Sequence, residues 1–305
     1  MTMNLLKQKI DDLNNGLENN DPKSLRYIYD IYNAEILPMF LADNPGVTTS
    51  DAPVYLLSAG QPGAGKTSHS ANIIMKEFKG KNKAHIDVDA LRAYHPLYKE
   101  ICAARLQFAN PLTNLVVMIW QNLLVLHCIK NNLELSIQDG TFKDTSFVAD
   151  LMNGDLARAK KLYAGLGLEY PIKRKPAHKF QMWVLDTHPV ISRLYTQVRA
   201  FRTFKEFGFC RSANDAFLTA SLGGLYRTLS HASDTKIMDR MVIFNKDGEY
   251  SFDTKSPGDK DADFGAALKD LHSRPLSGEE RDYFKDWENN PEFIAFLKGH
   301  NLALR

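Results

Sequence analysis

The chain predicts an α/β fold, a doubly wound and mostly parallel sheet with flanking helices and helical extensions at both ends. Two observations carry this expectation. Five apolar runs of strand length stand at 54–59, 84–88, 133–137, 180–185 and 240–244, and helical patterns separate most of them. Runs apolar throughout that alternate with helices belong to a parallel sheet covered on both faces. In addition, the first run leads straight into Gly60-Gln61-Pro62-Gly63-Ala64-Gly65-Lys66-Thr67, a glycine-rich turn placed between a strand and a helix.

The remaining elements follow in chain order. Residues 3–43 read as helices, with Leu5, Leu6, Ile10 and Leu13, then Leu25, Ile28, Tyr29 and Tyr32, at helical spacing. Their density of aromatic and aliphatic side chains implies a segment packed on the core and not itself catalytic. The turn-rich stretch 44–53 reads as a linker, so the expected organisation is a helical segment over 1–50 and one domain over 51–305. Asp247-Gly248 signals a hairpin turn after the last strand, and 253–263 reads as a polar loop. Ser277-Gly278-Glu279-Glu280 fits a capping box, and Pro291 suits the first turn of a final helix.

Composition bounds the function. With 44% hydrophobic and 24% charged residues the chain can build a full core, and its net charge of +2 sets no direction. No basic stripe with interleaved aromatics stands out, which argues against nucleic acid as a partner. Cys102, Cys128 and Cys210 are odd in number and lack zinc-ligand spacing, so reduced thiols and a cytoplasmic location are expected. The N-terminus has no apolar core of a signal peptide. The longest apolar stretch, 115–129, is broken by Gln121, Asn122 and His127, so no membrane span is expected.

The glycine-rich turn matches the phosphate-binding loop, which implies a nucleoside triphosphate site. Gly60, Gly63 and Gly65 let the backbone turn its N–H groups inward, with Gln61, Pro62, Ala64 and Ser68 completing the cradle. The following helix adds its positive dipole end. Lys66 can reach the β- and γ-phosphates, and the Thr67 hydroxyl can ligate Mg²⁺. ATP or GTP with Mg²⁺ are the implied ligands.

Ligands of such sheets bind outside the carboxyl ends of the strands. The second strand ends in Ile86-Asp87-Val88-Asp89, where alternation along an extended chain would put both carboxylates on one face. A carboxylate there can accept the proton of an attacking hydroxyl, and equally it can cap a helix. The third strand ends in Asp139-Gly140-Thr141-Phe142-Lys143, an acid of the kind that organises Mg²⁺ beside a phosphate loop. Arg193, Arg199, Arg202 and Arg211 follow the fourth strand, either to stabilise a transferring phosphoryl group or as a solvated basic face.

Together these pieces resemble the zeta toxin family, phosphotransferases of toxin–antitoxin systems. The matching residues are the loop at 60–68, Ile-Asp-Val-Asp-Ala-Leu-Arg-Ala-Tyr-His-Pro at 86–96, Pro111-Leu112-Thr113-Asn114, Ile137-Gln138-Asp139-Gly140-Thr141, and Leu-Ser-Gly-Glu-Glu at 276–280. The resemblance implies a kinase that uses ATP to phosphorylate a hydroxyl of UDP-N-acetylglucosamine, and a cognate antitoxin or immunity protein as partner. It makes Lys66 and Thr67 the phosphate and magnesium residues, and Asp89 the general base. Asp139 stands for a site glutamate, and Thr141 lies on the substrate side with Asn114 and Lys143. Arg199 and Arg211 take the places of two catalytic arginines. Departures qualify the substrate. Met118 stands where the family has an acid, Lys143 stands near a family arginine, and 153–175 looks inserted, with Arg158, Lys160, Lys161, Lys173, Arg174 and Lys175. That basic insert suits either a clamp on an anionic acceptor or a solvated face. Three readings therefore stand beside the nucleotide-sugar kinase: a kinase of NAD or another adenosine dinucleotide, a polynucleotide kinase, and a non-catalytic nucleotide-binding regulator.

Overall fold

The computed structural model describes residues 2–66, 70–104, 109–173, 175–208, 215–300 and 302. Its strands are β1 (Val54–Ala59), β2 (Ala84–Ile86), β3 (Leu135–Gly140), β4 (Lys179–Leu185), β5 (Arg240–Phe244) and β6 (Tyr250–Asp253), in the sheet order β2-β3-β1-β4-β5-β6. β2 runs parallel to β3 with Ala84 opposite Ser136, and β4 runs parallel to β5 with Trp183 opposite Val242. β6 pairs antiparallel with β5. Every residue of β1 and of β5 is buried, as a covered parallel sheet requires. The mostly parallel sheet with flanking helices is the fold the sequence predicts.

The chain divides into two compact units, the first made of 1–55, 80–138 and 149–179. The first unit opens with α1 (Met3–Glu18), α2 (Pro22–Ile31), a π-helical turn (Tyr32–Ile36) and α3 (Leu37–Asp43). Asp21 caps α2, accepting from Ser24 N at 2.9 Å, and Pro22 takes the first turn, where its missing N–H costs nothing. These helices belong to the unit's core. Ile28 and Ile36 are fully buried, the Tyr32 hydroxyl donates to Leu123 O at 3.2 Å, and Trp120 Nε1 donates to Ile28 O at 2.9 Å.

Leu123 and Trp120 both belong to α7 (Ala109–Lys130). Within it, Leu112–Lys130 is long and apolar enough to cross a bilayer by length and composition, contrary to the sequence expectation, but 72% of that window is buried inside the protein. A core helix apolar all round accounts for it. In the 153–175 region, α9 (Ala157–Gly165) packs Gly165 against Leu25. Three of its cations have partners: Lys160 with Asp155, Lys161 Nζ on Glu18 O at 2.6 Å, and Lys173 with Glu169 at 2.7 Å. Arg174 lies outside the described residues.

The second unit comprises 56–79, 139–148 and 180–305. Besides β4 to β6 it holds α4 (Ala71–Glu77), α10 (Pro189–Phe207), α11 (Asp215–Thr235), α12 (Phe264–Ser273), α13 (Gly278–Glu288) and α14 (Pro291–Gly299). Arg240 is buried at the start of β5, bonded to Asp253 Oδ2 at 2.7 Å and Glu77 Oε1 at 2.6 Å, with its guanidinium 4.9 Å over the Trp183 ring. Two carboxylates and an aromatic face compensate a charge that would be costly alone. The turn at Asp247-Gly248 joins β5 to β6, with Gly248 at φ 87°. The expected capping box is present, Glu280 N donating to Ser277 Oγ at 3.2 Å and Ser277 N to Glu280 Oε2 at 2.8 Å. β6 corrects the sequence reading, which ended the strands at β5 and began a loop at Asp253.

Burial sets an acid limit on the first unit. His95 and His178 are buried, and desolvation brings each down to about 4, with the Arg92 charge adding to the effect at His95. The folded protein therefore favours neutral rings, and this contribution is complete above the ordinary histidine value near 6.5 and lost as pH falls from there toward 4. Each ring should add up to about 1.4 kcal/mol of stability per pH unit across that window. Urea midpoints measured from pH 7 to pH 4 should fall more steeply for wild type than for a His95→Gln, His178→Gln variant; equal slopes would contradict this.

Candidate functional site

The phosphate loop owes its shape to the β4–α10 connection. Gly63 at φ 80° and Gly65 at φ 91° use backbone that side chains rarely adopt. A Cβ on Gly63 would collide with the Ser192 carbonyl oxygen and with Thr196 Oγ1, so the loop and α10 can meet only at a glycine. Around this contact the loop is held by side chains. Ser192 Oγ donates to Pro62 O at 2.7 Å, Gln61 Nε2 to Thr187 O at 2.7 Å, and Thr187 Oγ1 to Ala64 O at 2.8 Å. Gln61 and Ala64 are buried. Lys66 Nζ lies across the loop, donating to Gly60 O at 2.8 Å and to Gln61 O at 3.1 Å. Left-handed glycines and an ammonium at the loop fit a nucleotide phosphate.

A buried network stands next to that connection. Asp186 follows β4, its Oδ1 3.3 Å from His272 Nε2, while the Tyr226 hydroxyl lies 2.7 Å from His272 Nδ1. His188 caps α10 through Nδ1, which accepts from Val190 N at 3.2 Å, and its Nε2 lies 3.1 Å from Arg274 O. Burial pulls the His188 ring below its ordinary pKa. Arg274 in turn forms a bidentate pair with Glu280 at 2.6 and 2.7 Å and brings that carboxyl down to about 2. Sequence reasoning missed Thr187, Ser192, Thr196, Asp186, Tyr226 and His272. The available signal was position alone, since residues 186–188 end a strand on the side where ligands bind.

The second unit also carries Asp139 and Thr141, both half-buried at the end of β3, and the exposed Lys143, whose Nζ lies 4.8 Å over the Phe217 ring. Between them Phe142 is buried in left-handed backbone at φ 43°, a costly conformation for a bulky residue. Gly140 leaves room for its ring, since a Cβ there would stand 2.9 Å from Phe142 Cζ. Arg199 is exposed on α10, at i+7 from Ser192 and i+3 from Thr196, the face that meets the loop. Arg202 is engaged elsewhere, 5.6 Å over the Trp287 ring. Thr67, Ser68 and Arg211 lie outside the described residues.

Asp89 and Asn114 belong to the first unit, and here the structure corrects the strand-end reading. β2 stops at Ile86 because Asp87 caps a short helix α5 (Val88–Leu91), accepting from Asp89 N at 2.8 Å and Ala90 N at 3.3 Å. The two carboxylates therefore do not alternate along an extended chain. Asp89 is exposed in the first helical turn with Arg92 Nε 3.1 Å from its Oδ1, and the buried Arg92 also donates to Thr113 Oγ1 at 2.7 Å. Asn114 is exposed on α7 beside Thr113, and Met118 is half-buried one turn on. Among the described residues no group of three or more His, Cys, Asp or Glu is placed to hold a metal. A magnesium site of one or two protein ligands completed by phosphates needs none.

Fold and loop define a P-loop kinase-like nucleotide-binding protein. The family model described as Zeta toxin matches residues 39–160. The match covers the loop, Asp89, Asn114, Asp139, Thr141 and Lys143, while Arg199, Arg211 and 276–280 lie beyond it. Among solved structures, one from the PezAT chromosomal toxin–antitoxin system of the human pathogen Streptococcus pneumoniae is similar at 20% identity, covering 88% of this chain and 96% of that one with a TM-score of 0.66. That likeness shows the fold. Fainter likenesses are to the AvrRxo1-ORF1:-ORF2 complex, at 10% identity over 90% of this chain and 73% of that one with a TM-score of 0.41, and to the YGR205w protein, at 15% over 75% and 96% with a TM-score of 0.33. No curated protein matches the chain by sequence.

The Gly63 contact generates a sharp expectation. Gly63→Ala meets backbone and a left-handed φ together, and should lower stability by about 1–3 kcal/mol. Gly167→Ala shares the left-handed φ, at 67°, but points into open space. Thermal melts should show the larger loss at Gly63; the reverse order would contradict the docking described.

Proposed function

We propose that the protein is an ATP- or GTP-dependent phosphotransferase that phosphorylates a hydroxyl of a nucleotide-linked small molecule, UDP-N-acetylglucosamine or a related nucleotide sugar. In this reading it acts in the cytoplasm as a toxin, restrained by a cognate antitoxin or immunity protein. The observation that carries the proposal is the phosphate loop, with left-handed Gly63 and Gly65 and Lys66 at its carbonyls, inside a segment that matches the zeta toxins.

Each residue has a role in the transfer. The loop N–H groups and Lys66 hold the donor phosphates, and Thr67 with Asp139 would hold Mg²⁺, which supplies charge neutralisation when bound. Asp89 takes the proton of the acceptor hydroxyl. The hydroxyl oxygen then bonds to the γ-phosphorus as the bond to the bridging oxygen breaks, and the nucleoside diphosphate leaves with that electron pair. Arg92, 3.1 Å from Asp89, orients the carboxylate. Arg199 and Arg211 stabilise charge on the phosphoryl oxygens, and Asn114, Thr141 and Lys143 contact the acceptor.

A second acceptor class is favoured by one position. Met118 offers no carboxylate to bind a sugar hydroxyl, which suits an adenosine dinucleotide such as NAD better than an amino sugar.

Two substitutions test the assignment with labelled ATP and a panel of nucleotide sugars, dinucleotides and oligonucleotides. Lys66→Ala should abolish transfer to any acceptor while circular dichroism stays unchanged; a folded variant at wild-type rate would refute the nucleotide site. Asp89→Asn preserves shape without the proton acceptor, and should slow turnover by about two to four decades with little change in ATP binding. If Asp87→Asn proves the more damaging, the base has been placed on the wrong carboxylate.

A further inference from the structure

Asp186, Thr187 and His188 join β4 to α10, and each holds a different partner within the second unit. Thr187 holds the phosphate loop: its carbonyl accepts from Gln61 Nε2 at 2.7 Å, and its hydroxyl donates to Ala64 O at 2.8 Å. Its two neighbours are tied to the C-terminal end of α12. Asp186 Oδ1 lies 3.3 Å from Nε2 of His272 in the last turn of that helix. His188 Nε2 lies 3.1 Å from the carbonyl of Arg274, the residue that ends it. The residue that grips the loop is thus anchored on both sides.

The Asp186–His272 contact is buried, the two side chains being 8% and 3% exposed. A carboxylate in such a place is tolerated only with a partner. Asp186 Oδ1 and His272 Nε2 have no other hydrogen-bonding partner among the described residues. The Arg274 guanidinium, close enough to feel the Asp186 charge, is committed to Glu280 at 2.6 and 2.7 Å. The far side of the ring decides what faces Asp186. There the Tyr226 hydroxyl lies 2.7 Å from Nδ1. If it donates, Nδ1 is the acceptor and a neutral ring carries its hydrogen on Nε2. If it accepts, an ionised Asp186 would meet an Nε2 lone pair unless the ring holds hydrogens on both nitrogens. With Asp186 ionised, the nitrogen beside it carries a hydrogen in either state.

We propose that His272 is a positioning residue for the phosphate donor: backed by Tyr226, it compensates the Asp186 carboxylate, keeps the β4–α10 connection in place, and so holds Thr187 where it shapes the loop. The role deepens the phosphotransferase reading and rests on the donor site of that reading. His272 and Tyr226 act through Thr187, whose two bonds to the loop fix the backbone at Gln61 and Ala64. A loop that is docked only part of the time binds phosphate in proportion to the docked fraction, so a fall of about tenfold in that fraction costs about tenfold in affinity. The effect therefore appears in ligand binding by the folded protein, and not in its stability alone.

The test is equilibrium binding of inorganic tripolyphosphate and ADP to the full chain with magnesium, on variants whose circular dichroism matches wild type. His272→Leu leaves the carboxylate without its partner and should weaken both ligands about tenfold or more. Adding Asp186→Asn removes the stranded charge, and the double variant should return to within about threefold of wild type, a rescue that lost packing alone would not show. Tyr226→Phe keeps the ring and releases Nδ1, and should weaken both ligands about twofold to tenfold; it carries the test if His272→Leu does not fold. In a Thr187→Val background the further loss from either variant should shrink, because both act on one contact. Wild-type affinity in folded His272→Leu or Tyr226→Phe would overturn the proposal, and so would losses that simply add to that of Thr187→Val. Wild type that does not bind tripolyphosphate would overturn the loop reading and this role with it, whereas binding without transfer to any acceptor would overturn the phosphotransferase reading alone.

Discussion

The unit that carries the phosphate loop depends on the close approach of that loop to the start of α10. Gly63 has no side chain because the Ser192 carbonyl and Thr196 hydroxyl occupy the space a Cβ would need. Three side-chain hydrogen bonds, from Ser192, Gln61 and Thr187, surround that contact and fix the loop to the end of β4. An isolated glycine-rich loop would sample many shapes, and ordering it costs roughly 1–2 kcal/mol per residue. Here packing and hydrogen bonds to the β4–α10 connection offset that cost. The same helix that pins the loop carries Arg199 one turn beyond Thr196, so loop shape and a candidate catalytic cation share one rigid support.

What was legible in the sequence was local. β1 and β5 were read to the residue because they are buried throughout, which leaves no polar position to blur the run. The phosphate loop was legible because its glycines, lysine and threonine lie within eight residues. The short β6 was not, because Tyr250 and Ser251 are exposed at a sheet edge and supply no apolar run. β2 was read too long for a related reason: the Asp87 side chain competes for the backbone at residues 89 and 90 and converts a strand into a helix start. The residues that dock the loop were invisible to sequence reasoning, since Gln61 and Thr187 are 126 positions apart and nothing local marks their meeting.

The first unit shows how a candidate base can be held without burial. Asp89 stays exposed, while Arg92 beside it is buried and tied to Thr113. The guanidinium acts as a fixed post from which the carboxylate is steered, and the exposure leaves it open to an acceptor. In the same unit, the N-terminal helices supply core residues rather than decoration, since Ile28 and Tyr32 both bond to α7.

The chain's three tryptophans are distributed to spectroscopic advantage. Trp120 is fully buried in the first unit, with its indole N–H on a carbonyl of α2, whereas Trp183 and Trp287 belong to the second. Replacing Trp183 and Trp287 by Phe would leave a single emitter whose wavelength and quenching follow the seating of the N-terminal helices. Retaining Trp287 alone, under the Arg202 cation, would give a probe of α10 and α13. Each half of the molecule thus carries its own fluorescent label.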